Sequence, residues 1–138
     1  GFKTVEYLSS ALVDMKLHDR KVPPTDVDKF ERETLAEMGM PREIVMRHRL
    51  PHFAHIFSGD GYSSGYYSYM WSEVMDADAF EAFREAGDPF DAETARRLEQ
   101  HILSAGGSDE AEALYLRFRG RMPGVEALLK GRGLIDAA

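Results

Sequence analysis

The chain has 138 residues, 43% hydrophobic and 30% charged, a mixture that suits one globular piece with one core. Its net charge of −7 and pI near 5.2 argue against a nucleic-acid partner, because phosphate backbones are held by clustered Lys and Arg. It has no cysteine, which excludes disulfides and thiolate metal sites, and its apolar runs are too short to span a bilayer.

The chain opens on Gly1-Phe2 without an initiator Met and enters a helical pattern almost at once, so it reads as a piece of a longer protein. Apolar residues at Val5, Leu8, Leu12 and Met15 predict a helix over Thr4–His18 with Thr4 as N-cap. Lys21–Pro24 breaks it. Thr25 is the expected cap of a second helix, Asp26–Met38, with acids in its first turn and Gly39 at its end. Pro41 opens a short third helix toward His48, and Pro51 interrupts or kinks that segment. Ser58–Gly65, SGDGYSSG, is a loop by its three glycines and three serines.

Helical pattern resumes over Tyr66–Met75, and Asp78–Ala86 continues it or forms a separate helix with Phe80 and Phe83 on one face. Gly87–Phe90 is a turn. Asp91 caps a helix through Leu103 whose Leu98 and Ile102 face inward, and Gly106-Gly107 stops it. Ser108 caps the next, with Ala111, Leu114, Tyr115 and Phe118 on one face. Pro123 opens a last helix carrying Val125, Leu128 and Leu129. No alternating strand pattern is present, so the predicted fold is all-α with about six to eight helices. The scattered Arg96, Arg97, Arg117, Arg119 and Arg121 read as solvated helix surface.

Three histidines, His48, His52 and His55, have i, i+4, i+7 spacing that could line one helix face for a metal. Pro51 disturbs that face, and no H-E-x-x-H motif occurs in the chain. His18 and His101 read as surface or helix-end residues. Gly59, Gly61 and Gly65 give a loop that can bend over a ligand. Tyr62, Tyr66 and Tyr69 are spaced i, i+4, i+7, so an early helix start would put three phenols on one face. Such a face offers hydrogen-bond donors beside an apolar wall, which suits a peptide backbone, and a phenol can donate to a developing oxyanion. The same spacing fits core aromatics with satisfied hydroxyls, and the spacing leaves both readings open. Tyr67, Met70 and Trp71 lie off that face and are expected in the core.

The stretch HFAHIFSGDGYSSGYYSYMWSEVMDADAFEAF closely resembles the C-terminal part of the thimet-oligopeptidase-type zinc metallopeptidases, in their bacterial peptidyl-dipeptidase and oligopeptidase A branch. The resemblance extends back through GFKTVEYLSSALVDMKLH and forward through ILSAGGSDEAEALYLRFRGRMPGVEALLKGRGL. It implies that residues 1–138 are a single multi-helix C-terminal piece of a larger catalytic domain. It assigns His55 to hydrogen bonding with substrate or transition state, Tyr62 to contact near the scissile carbonyl, Tyr66 to the substrate groove and Tyr69 to the oxyanion side. Gly59 and Gly61 match the family's flexible loop. The family's zinc ligands and general base belong to a part that would precede Gly1, so zinc is expected in the intact parent and none on this piece, which alone should be inactive. The implied partners are short peptides and the N-terminal remainder of the same polypeptide. No charged-then-apolar secretory start is visible, so a cytoplasmic protein is expected. A non-enzymatic all-α module that binds peptides in its Gly/Tyr groove is the alternative.

Overall fold

Helix α1 covers Phe2–His18 and α2 covers Val27–Glu37 in the computed structural model, which describes residues 1–136. Further along lie α3 (Ser68–Ala86), α4 (Ala92–Leu98), α5 (Ala111–Arg119) and α6 (Glu126–Gly131). Three short 3-10 turns, Leu50–His52, Ala54–Phe57 and Asp60–Tyr62, lie between α2 and α3, and one π turn, Glu99–Leu103, comes after α4. No strand occurs among the described residues, so the all-α expectation holds. Among the described residues no helix is long and apolar enough to cross a membrane. Residue contacts fall into two units, one of residues Gly1–Met70 and one from Trp71 onward.

In the first unit, α1 begins at Phe2 with Gly1 as cap, ahead of the expected Thr4. Its buried face is Ser9, Ser10, Ala11, Val13 and Asp14. Leu8, Leu12 and Met15, whose spacing predicts the helix, are exposed. Helical period fixes which residues share a face, and it does not say which face the rest of the chain covers. Asp26, and not Thr25, caps α2: its carboxylate accepts the Lys29 amide at 2.8 Å. The helix expected from Pro41 to His48 is absent; that stretch is turn and irregular backbone. Pro51 is accommodated inside the first 3-10 turn, where its missing amide proton costs little. The core of this unit is Val13, Phe30, Met46, Leu50, Phe53 and Ile56, with Leu17, Leu35, Met38 and Tyr66 packed against it.

In the second unit, Ala82, Tyr115 and Phe118 form a smaller core, joined by Met75, Ala79, Leu98 and Ile102. The buried Asp78 carboxylate accepts the Tyr115 hydroxyl at 2.8 Å and Arg119 Nε at 3.1 Å. Arg119 is therefore no solvated surface residue: its side chain is 6% exposed, and it forks onto Glu85 at 2.6 and 2.8 Å. Burial and the neighbouring Asp78 charge push the Tyr115 phenol pKa well up. Ser108 does not cap α5, whose N-cap is Glu110, and Pro123 precedes α6 without entering it.

Candidate functional site

The site is assembled in the first unit from a 3-10 turn, a glycine loop and the first turn of α3. Phe53 and Ile56 are fully buried and pin the turn Ala54–Phe57 to the core. His55 lies between them in sequence and is only partly buried. Around its imidazole stand three phenol rings, with centroid distances of 5.0 Å to Tyr62, 5.6 Å to Tyr66 and 5.6 Å to Tyr69. The Tyr69 hydroxyl and His55 Nε2 are 3.0 Å apart, a hydrogen bond in which the phenol donates when Nε2 carries no proton.

The three tyrosines do not share one helix. Tyr62 ends a 3-10 turn, Tyr66 lies in a turn, and only Tyr69 is in α3. The loop, and not helical period, brings them together. Tyr66 is the inner member: it packs edge-on against Phe53 at 4.9 Å and stacks on Tyr7 at 5.3 Å. Tyr62 and Tyr69 are 48% and 47% exposed, so two phenols remain open to a ligand while the third is held in place. Tyr67 and Trp71, expected in the core, are each about half exposed at 53%, and Met70 is partly buried.

Two of the loop glycines are in demanding positions. Gly59 has φ +153°, where a side chain would be strained, and it is exposed with open space around it. At Gly65 a Cβ would meet the Tyr62 carbonyl oxygen at 3.2 Å, so a side chain there would press on the turn's own backbone. Gly61 sits in the exposed 3-10 turn. Gly59 and Gly61 thus occupy the rim of the site, beside the phenols.

The remaining histidines do not join it. His48 stacks on Phe53 at 5.3 Å and His52 ends the first 3-10 turn, both exposed. With Pro51 in that turn, no continuous helix carries His48, His52 and His55 on one face. Among the described residues no group of three or more His, Asp or Glu could hold a metal ion, so the donor set does not fit zinc.

Three supporting residues escaped the sequence reading. The Asp14 carboxylate accepts the backbone amides of Ser64 at 3.1 Å and Tyr66 at 3.0 Å. His18 Nδ1 lies 2.8 Å from the same carboxylate. Tyr7 donates its hydroxyl to the Tyr66 carbonyl and accepts the Met70 amide at 3.2 Å. The only sequence signal for Asp14 is an acid between Val13 and Met15 in an otherwise apolar stretch of α1.

Comparison with known proteins adds the family. The model of peptidase family M3 matches residues 1–134. The chain is 41% identical to the dipeptidyl carboxypeptidase of Escherichia coli (strain K12), over 97% of this chain and 20% of that protein. It is 44% identical to oligopeptidase A of the same organism, over 92% of this chain and 19% of that protein. It is 38% identical to the organellar oligopeptidase A, chloroplastic/mitochondrial, of Arabidopsis thaliana, over 100% of this chain and 18% of that protein. The chain spans about a fifth of the length of these relatives.

Proposed function

This chain belongs to peptidase family M3, and from that premise we propose that it is the C-terminal helical piece of the catalytic domain of a zinc metallopeptidase that hydrolyses short peptides. In this reading it supplies the groups that bind substrate and stabilise the transition state. Zinc in the parent is held by residues outside this chain, whose described residues offer no donor set for it. The isolated chain is accordingly inactive, and the parent is cytoplasmic. Release of C-terminal dipeptides is the specificity taken in this reading, beside identity of 41% to a dipeptidyl carboxypeptidase and 44% to oligopeptidase A.

The observation that carries the reading is the 3.0 Å contact between Tyr69 and His55, with the Tyr62 and Tyr66 rings around the same imidazole. As a peptide carbonyl becomes tetrahedral, its oxygen gains negative charge and needs a donor already in place. Tyr69 supplies that hydrogen bond, and Tyr62 supplies a second at the scissile carbonyl. With its proton on Nε2, His55 donates to the Tyr69 oxygen and so leaves the Tyr69 hydroxyl proton for the oxyanion, and it bonds substrate from the same turn. Tyr66 walls the groove, and the loop through Gly59 and Gly61 adjusts over the bound peptide.

Tyr69→Phe in the full-length parent tests this directly. Turnover should fall about 100- to 1000-fold, the usual loss on removing one oxyanion donor, with the zinc content of the purified enzyme unchanged. Near-normal turnover would overturn the assigned role.

A further inference from the structure

Asp14 is completely buried, and its carboxylate serves a segment about fifty residues further along the chain. Its Oδ1 accepts the Ser64 amide at 3.1 Å and its Oδ2 accepts the Tyr66 amide at 3.0 Å. Between these two residues, Gly65 donates to the Tyr62 carbonyl at 3.1 Å. Alternate amides of the turn therefore converge on one carboxylate, the arrangement by which backbone holds an anion. Ser64 has φ +58°, a conformation that non-glycine residues seldom adopt without outside support. His18, one helical turn beyond Asp14, sits at 2.8 Å from Oδ1, the oxygen that also accepts the Ser64 amide.

We propose that Asp14 is a positioning residue for the phenol cluster: its carboxylate clamps the turn from Tyr62 to Tyr66 and so sets Tyr66 and Tyr69 around His55. The proposal rests on the peptidase reading for its catalytic consequence, and on the hydrogen bonds alone for the clamp. The Tyr66 side chain and the first turn of α3 are placed directly by the clamped backbone. An error of about 1 Å there is enough to cost on the order of 100-fold in rate. Asparagine at this position keeps one acceptor oxygen but turns an NH2 group toward the other amide, so one of the two bonds is lost.

The test uses the full-length parent. Hydrogen exchange resolved to single amides in the unmodified protein should show Ser64 and Tyr66 protected, although neither has a backbone acceptor; fast exchange at both would overturn the clamp without any variant. In Asp14→Asn, exchange at these amides should quicken while core amides such as Ile56 keep their protection. Turnover of a fluorogenic peptide should fall about tenfold or more, with KM changed by less than about threefold. The loss should largely vanish when Asp14→Asn is placed on Tyr69→Phe, because both changes act through the same phenol. An equal fold-loss in both backgrounds is the mark of a general structural role and would overturn the proposal. His18→Gln, a milder change on the same carboxylate, should give a smaller loss of the same kind and covers the case in which Asp14→Asn does not accumulate folded. If Tyr69→Phe alone turns over normally, the peptidase reading of the phenols fails, and the exchange measurement still decides the clamp.

Discussion

Glu31 shows how a single buried acid sets the path of the chain toward the site. It is 5% exposed, accepts the Leu50 amide at 2.9 Å through one oxygen and pairs with Arg49 Nε at 2.7 Å through the other. Leu50 opens the sequence of turns that carries His55, so this carboxylate fixes where that sequence starts. Glu31→Ala leaves the buried Leu50 amide without its acceptor. It should cost about 1–3 kcal/mol of stability, read as a lower denaturant midpoint in the full-length protein, and an unchanged midpoint would refute the assignment. Asp14 and Glu31 are alike in one respect: both hold backbone amides far away in sequence, and no spacing rule announces such a bond. The phenols and His55 were legible because Gly, Tyr and His crowd into one short stretch. Their surroundings were not, because the route that brings the three tyrosines together is a loop closed by Asp14 and not a helix face.

At the scale of elements, the helices were legible where local chemistry determines them, and less so where the tertiary fold does. Helix α3 runs unbroken from Ser68 to Ala86, since neither Gly nor Pro interrupts it and its one awkward acid, Asp78, is paired by Tyr115 and Arg119. The final turn expected in the helix from Asp91 instead widens to π geometry over Glu99–Leu103, closed by the Ser104 amide on the Glu99 carbonyl at 2.8 Å. The outward-facing stripe of α1 has a plain reason: Asp14, Ser9 and Ser10 lie on the face that the loop needs, and a carboxylate that holds two amides goes where they are. For α2, Thr25 and Asp26 both have capping chemistry, and the structure selects Asp26. Asp26→Ala should therefore destabilise the protein by about 1 kcal/mol, whereas Thr25→Ala should change the thermal midpoint little. The reverse order would place the cap one residue earlier.

For the whole molecule, the first unit exposes the α1 stripe of Leu8, Leu12 and Met15 in this chain. The second unit has several carboxylates whose pKa values are lowered by their partners, and its stability should therefore vary with pH. Hydrogen bonding to Arg119 holds the Glu85 carboxyl below its ordinary range. The Thr94 amide does the same for Asp91, and the Glu110 amide with Arg117 does it for Asp109. Each group binds its proton more weakly folded than unfolded. Above the unfolded carboxylate range both states are ionised, and the full contribution is present. As pH falls, the unfolded chain takes up protons first, so stability declines until the folded carboxyls protonate too. Thermal unfolding of the full-length protein, with exchange in α3 to α5 as the local reporter, should be level above about pH 5 and fall steadily below it. Glu85 is half exposed, so its own share is below about 1 kcal/mol after solvent screening. Glu85→Gln should flatten the acid slope slightly without moving the plateau by more than that share. A profile that stays level from pH 5 down to about pH 3 would show that these pairs add nothing to the folded state beyond what the unfolded chain already has.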